Sequence, residues 1–278
     1  MSRLLIFGLG YTAGHITAAL RQRGWNVIGT TRDGRDDTLA FGDTATVTRE
    51  LARATHILSS VPPAGDSDPV LAKYGQALNA SSARRGYLSS TGVYGDADGA
   101  WVDESAPTTG RRAPRVAADQ AWLALGARVF RLPGIYGPGR SALDRVAEGR
   151  AHRVDLPSQV FSRVHVEDIV SGVIAALDAP PGAYNLADDG PCGQNEVIAY
   201  AAHLLGQAAP PFVGLDTLSP MARSFYAENR RVANAKAKRV LGWRLRYPDY
   251  RLGLRALSAM TSPTIASTAP APASQDQR

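Results

Sequence analysis

Gly8-Leu9-Gly10-Tyr11-Thr12-Ala13 is the first stretch whose residue types and spacing point to chemistry. It follows the apolar run Leu4–Phe7 and precedes a helical pattern. It therefore matches G-x-G-x-x-[GA] between strand and helix, the context in which that pattern carries weight. Gly8 permits the tight turn, Gly10 lets backbone amides approach a pyrophosphate, and Ala13 lets the helix pack closely on the strand. Phosphates would then face the helix N-terminus and its unpaired N–H groups, at Tyr11 and Thr12. The end of the next strand should read the cofactor. An NAD site wants an acid there for the ribose hydroxyls, about 20 residues downstream. Here the sequence runs Ile28-Gly29-Thr30-Thr31-Arg32, with no acid before Asp33 and with Arg35 nearby. Thr31 and Arg32 suit a 2′-phosphate through charge-assisted hydrogen bonds, so NADP is expected over NAD.

These residues need a scaffold of alternating strands and helices. Leu4–Phe7, Trp25–Thr30, Ile57–Val61, Tyr87–Ser90 and 128–132 read as strands; the continuous apolar runs among them suit burial on both faces. Helical patterns cover 12–23, 69–80, where Pro69 suits a first turn, and 116–125. Further helices are predicted at 141–149, 166–178, 195–205 and 232–241. The alternation predicts an α/β fold: a Rossmann-type, doubly wound parallel sheet with a smaller C-terminal substrate-binding region. The expected division is residues 1–135 for the nucleotide-binding core and 136–260 for a mainly substrate-binding region. The two interleave through a strand near 183–187. Residues 261–278, rich in Pro, Ala, Ser and Thr without an aromatic, read as a disordered tail.

Four further segments carry a resemblance to the short-chain dehydrogenase/reductase superfamily, in its extended, epimerase/dehydratase-like branch. Phe41-Gly42-Asp43 resembles the family's Gly-Asp after the third strand, which implies that Asp43 approaches the adenine amine. Tyr87–Gly95 (YLSSTGVYG) is similar to the strand that bears the active-site Ser/Thr before Val-Tyr-Gly. Arg131–Gly139 (RLPGIYGPG) resembles the segment lining the nicotinamide, and Val164–Asp168 (VHVED) the entry to a helix beneath the substrate pocket. The resemblance spans roughly residues 1–190, and Tyr184-Asn185-Leu186-Ala187 fits the family's final strand. It adds Ser60 and Pro133 to the expected cofactor contacts.

The chemistry of that superfamily depends on Tyr-x-x-x-Lys, whose spacing puts both side chains on one helical face. This chain has three lysines, Lys73, Lys236 and Lys238, preceded four residues earlier by Pro69, Val232 and Asn234. No Tyr-x-x-x-Lys exists. Alignment on Val116-Ala117-Ala118-Asp119-Gln120 puts Arg115 at the lysine position and Arg111 at the tyrosine position. Arginine keeps the charge but, with a pKa above about 12, cannot donate the proton. Ser90 remains where the family's catalytic hydroxyl falls, four residues before Tyr94. The expected catalytic set is therefore Ser90 to polarise a substrate oxygen, Tyr94 as substitute acid and Arg115 as an electrostatic stabiliser. Arg163, with Arg131 as the weaker choice, would hold an anionic substrate, and His165 would face it. Asp103-Glu104 reads as a solvated pair or a helix cap.

Composition narrows the function classes. The net charge is +6 and the pI near 9.7, carried almost wholly by arginines spread along the chain. That reads as a solvated surface; a nucleic-acid binder would show a basic stripe with interleaved aromatics. The lone Cys192 and five scattered histidines offer no metal-binding spacing. No apolar run approaches the roughly 18 residues of a membrane span. The start, Met1–Gly10, imitates a signal peptide but runs straight into the glycine turn. A cytoplasmic protein is expected, with a small-molecule substrate and with helices near 70–80 and 114–125 suited to a homodimer. Two readings stand. One is an NAD(P)-dependent oxidoreductase, epimerase or dehydratase-like enzyme; the other is a non-enzymatic NADP(H)-binding redox sensor or assembly protein.

Overall fold

Residues 2–261 are described by a computed structural model. Seven strands form one parallel sheet: β1 (Arg3–Phe7), β2 (Asn26–Thr31), β3 (Leu39–Ala40), β4 (His56–Ser59), β5 (Arg84–Ser90), β6 (Arg128–Leu132) and β7 (Gly182–Asn185). Their spatial order is β7-β6-β5-β4-β1-β2-β3. The order reverses at β1, which pairs with β2 on one side (Leu4↔Val27) and β4 on the other (Leu4↔His56). In such a sheet the chain leaves β1 and β4 in opposite directions and opens a crevice at their carboxyl ends.

Successive residues of a strand point to opposite faces, and β1 shows why both faces are covered. Leu4 and Ile6 join one core with Ile16 and Leu20 of α1 (Tyr11–Gln22), and with Ile169 and Val173 of α6 (Val166–Ala175). Leu5 and Phe7 join another with Val47 and Leu51 of α2 (Thr44–Arg53), Tyr74 and Leu78 of α3 (Pro69–Ala80) and Trp122 of α4 (Ala113–Ala124). A third, smaller core packs α5 (Ala142–Ala147) and α7 (Gln194–Leu204) against α10 (Tyr250–Thr261). Between α7 and α10 come α8 (Pro220–Phe225) and α9 (Ala235–Leu241). Gly253 is needed on α10 because a Cβ there would stand 2.1 Å from the Tyr136 hydroxyl.

Three helices, α2, α8 and α10, were not expected from the sequence. α2 (TATVTRELAR) opens on threonines and a valine, which lose side-chain freedom in a helix, so tertiary burial of Val47 and Leu51 holds it. The strand expected to reach Val61 ends at Ser59, and the helix expected from 232 begins at Ala235. The predicted tail lies outside the described residues except for Thr261, the last residue of α10. Among the described residues no helix is long and apolar enough to cross a membrane.

Candidate active site

Because all seven strands are parallel, the expected cofactor residues gather along one edge. The glycine turn follows β1, Thr31 and Arg32 close β2, Ser60 follows β4, Ser90 ends β5 and Pro133 follows β6. Gly8 has φ of +83°, and a Cβ there would press to 2.7 Å from Val61 Cγ2, so only glycine fits. Its N–H donates to Thr30 Oγ1 (3.1 Å) and its carbonyl accepts from Ser60 Oγ (2.6 Å). Ser60 thus pins the turn from the neighbouring strand. Gly10 is the N-cap of α1 and no side chain caps that helix. A Cβ at Gly10 would meet nothing within 4 Å. An uncapped helix N-terminus behind an open glycine fits a pyrophosphate. Ala13 and Thr12 are buried against the sheet, while the Tyr11 hydroxyl donates to the Pro138 carbonyl (3.1 Å).

At the end of β2 the two expected specificity residues part ways. Arg32 is exposed and makes no ion pair among the described residues. The Thr31 hydroxyl is turned into its own loop, 2.7 Å from that of Thr38 and accepting the Gly34 N–H (3.1 Å). Asp43 caps α2 through the Thr46 N–H (3.1 Å), a bond that holds its carboxyl below the usual range. The acid read as an adenine contact thus has a structural duty of its own.

The substitute acid does not survive the geometry. Tyr94 is buried, donates its hydroxyl proton to Asn185 Oδ1 (2.7 Å) and accepts from Arg131 Nη1 (3.0 Å). Burial raises its pKa, the wrong direction for an acid. Arg131 in turn grips Asp119 through Nη2 (2.7 Å) and Nε (3.1 Å), and Asp119 accepts from Ser89 Oγ (2.6 Å). Arg131 is therefore not free for a substrate anion. Glu104 accepts the Asn185 N–H (2.7 Å), closing the network from the loop after β5. Ser90 lies one residue beyond, half-buried, with Oγ accepting from the Gly92 N–H (3.1 Å). Its own proton meets no acceptor among the described residues.

Sequence reasoning did not single out Arg230, which faces the same glycine as Ser90. A Cβ built on Gly92 would lie 3.4 Å from Ser90 Oγ and 4.0 Å from Arg230 Nη2, so the two flank one point. Arg230 is fixed by Nη1, which donates to the Gly95 carbonyl (2.5 Å) and Glu228 Oε2 (2.7 Å). Glu228 also receives Arg111 Nε (2.8 Å), and the two guanidinium groups hold its carboxyl below the usual range despite burial. Arg111 thus reaches across to the segment after α8 and does not stand in for a tyrosine. Arg115 is half-buried on α4, where its charge acts on Tyr87. No local motif marks Arg230, which arrives 140 residues after Ser90 in the chain.

The expected substrate residues are packed away. Arg163 is buried and spends Nη1 on the Phe161 carbonyl (2.9 Å) and Nη2 on Gln194 Oε1 (2.9 Å), leaving no fork for an anion. His165 is buried between Tyr136 and Tyr247, and its Nδ1 accepts the Glu167 N–H (3.2 Å) as the N-cap of α6. Burial pushes its pKa down to about 4, so the ring is neutral and serves the fold.

The strand order, the glycine turn at its reversal and the serine at the end of β5 define the class. The chain shares its fold with solved epimerase and dehydratase structures. Within that class it belongs to the same family as a functionally unknown conserved protein from Silicibacter pomeroyi: 45% identity over 94% of this chain and 99% of that one, TM-score 0.87. It is similar to Protein YeeZ of Escherichia coli K12, 28% identical over 90% of this chain and 97% of that protein. The structure of MoeE5 in complex with UDP-glucuronic acid and NAD shares the fold, with TM-score 0.75 and 21% identity over 94% of this chain and 99% of that one. No family model matches the chain.

Proposed function

We propose that the chain is an enzyme of the NAD(P)-dependent oxidoreductase or epimerase/dehydratase-like kind, acting on a small molecule in the cytoplasm without a Tyr-x-x-x-Lys pair. NADP(H) is its preferred cofactor. The observation that carries the reading is the open, uncapped N-terminus of α1 at the strand reversal, on the same sheet edge as Ser90. Bound there, a nicotinamide dinucleotide would supply or accept hydride. Gly8, Gly10 and the first N–H groups of α1 would hold its pyrophosphate, and Arg32 the 2′-phosphate. Ser90 Oγ donates to the substrate oxygen, and Arg230 Nη2 stands on the same side to offset negative charge developing there. Both groups polarise that oxygen without giving up a proton, so the proton there comes from water or from the substrate itself.

A second reading, a non-enzymatic NADP(H)-binding sensor or assembly protein, draws on that same lack of an acid beside Ser90. Both require the nucleotide. Gly10→Asp places a carboxylate where the pyrophosphate lies, in space open to it. That variant is expected to keep the wild-type melting temperature and lose NADPH binding by more than about tenfold, from charge repulsion. Unchanged NADPH affinity would remove the assignment of the glycine turn.

A further inference from the structure

We propose that Arg140 is a cofactor-binding residue whose guanidinium closes over the pyrophosphate from the turn following β6. The proposal rests on the dinucleotide reading above, which supplies the ligand. Residues 137–140 form a tight turn, with the Gly137 N–H donating to the Arg140 carbonyl (3.1 Å) and the Arg140 N–H to that of Gly137 (3.0 Å). The turn is seated against the first residue of α1: Tyr11 donates to the Pro138 carbonyl at 3.1 Å. A Cβ on Gly137 would stand 2.6 Å from the Tyr11 hydroxyl and 2.6 Å from Val166 Cγ1, so glycine alone allows this approach. Immediately after Arg140 the chain is fixed again. Ser141 caps α5, its N–H (2.6 Å) and hydroxyl (2.7 Å) both donating to Asp144 Oδ2.

Arg140 is therefore an exposed side chain on a backbone held from both sides. Its guanidinium carbon lies 5.6 Å from the centre of the Tyr11 ring, beside the residue that follows Gly10. Arg140 makes no ion pair among the described residues. Asp144, the acid whose field also reaches Tyr11, is engaged by Ser141. Stacking on a tyrosine accounts for the position of the group but leaves its donors without a partner among the described residues. A diphosphate at the uncapped end of α1 presents acceptors to such a planar, five-donor fork. Arg32 and Arg140 then divide the work. Arg32 reads the 2′-phosphate and separates NADP from NAD, whereas Arg140 serves what both cofactors share.

Isothermal titration of the full chain separates these roles, comparing wild type, Arg140→Ala and Arg140→Lys against NADPH, NADH and ADP-ribose. Arg140→Ala is expected to weaken all three by about tenfold, the scale of one hydrogen bond to a charged group, with Arg140→Lys between. The loss should shrink as sodium chloride is raised, and the melting temperature should not move. Wild-type affinities in Arg140→Ala would overturn the proposal and leave only a stacked surface arginine. A loss confined to NADPH would also overturn it, by placing Arg140 at the 2′-phosphate. A wild-type chain that binds none of the three would instead remove the dinucleotide reading itself.

Discussion

Arg32 and Asp119 mark the two kinds of residue that decide this site, one exposed and specific, the other buried and structural. Arg32→Asp replaces a cation at the end of β2 with the acid that suits ribose hydroxyls. NADPH binding is expected to fall about tenfold or more while NADH binding hardly changes; equal titration curves for both cofactors in the wild type would end that claim. Asp119 carries the opposite weight. It is fully buried and accepts Arg131 through two nitrogens, and Arg131 in turn donates to Tyr94. Asp119→Ala leaves a buried guanidinium unpaired, a loss of about 3–5 kcal/mol, which urea unfolding would register as a lower midpoint. The place of Ser90 at the end of β5 was legible in the sequence because the segment before Val-Tyr-Gly is local. The fate of Tyr94 was not, because its partners Arg131 and Asn185 lie 37 and 91 residues away.

Elements with strong local signals formed where the sequence placed them. The helix expected over 69–80 spans Pro69–Ala80, and the strand over 128–132 spans Arg128–Leu132. The first opens on a proline at N1 behind an aspartate cap, and the second is a run buried on both faces. Asp68 is the residue that starts α3. One of its oxygens accepts the N–H groups of Val70 (2.8 Å) and Leu71 (3.0 Å), and the other accepts Trp122 Nε1 of α4 (2.9 Å). Asp68→Ala removes a helix cap and orphans a buried indole N–H, at about 2 kcal/mol or more. Asp68→Asn should recover part of it, since its amide oxygen can still cap the helix; chemical denaturation of the pair checks this. α2 and α10 escaped the sequence reading for the complementary reason. Their helical state is imposed by the cores they cover, and Gly253 and the threonines of α2 weaken the local pattern.

At the scale of the whole molecule, the buried ionisable groups of the C-terminal region give stability a definite pH dependence. Asp188 is buried, with Oδ2 unpartnered among the described residues, and burial pushes its pKa up to about 7. An unfolded aspartate ionises near 3.9. The unfolded chain therefore releases this proton first, and the contribution of Asp188 to stability declines as pH rises from about 4 to 7. His165, held down at about 4, acts in the other sense: its contribution is lost as pH falls from about 6.5 toward 4. Melting temperatures measured from pH 5 to 8 should show Asp188→Asn gaining on the wild type up to about pH 7, then holding its margin. A margin independent of pH would contradict the assignment.

The glycine turn at the strand reversal is the feature on which the functional account stands, and it was legible because such a turn is a local signal in a fixed topological place. Arg230 was not legible, since the fold alone brings it to the glycine that Ser90 also faces. The measurement that tests the central claim most directly is isothermal titration of the wild-type chain with NADP⁺, NADPH, NAD⁺ and NADH. The account predicts binding of the phosphorylated pair over the unphosphorylated pair, with similar affinity for oxidised and reduced forms. A strong preference for one redox form would favour a sensor over an enzyme. No binding of any of the four would contradict the account at its base.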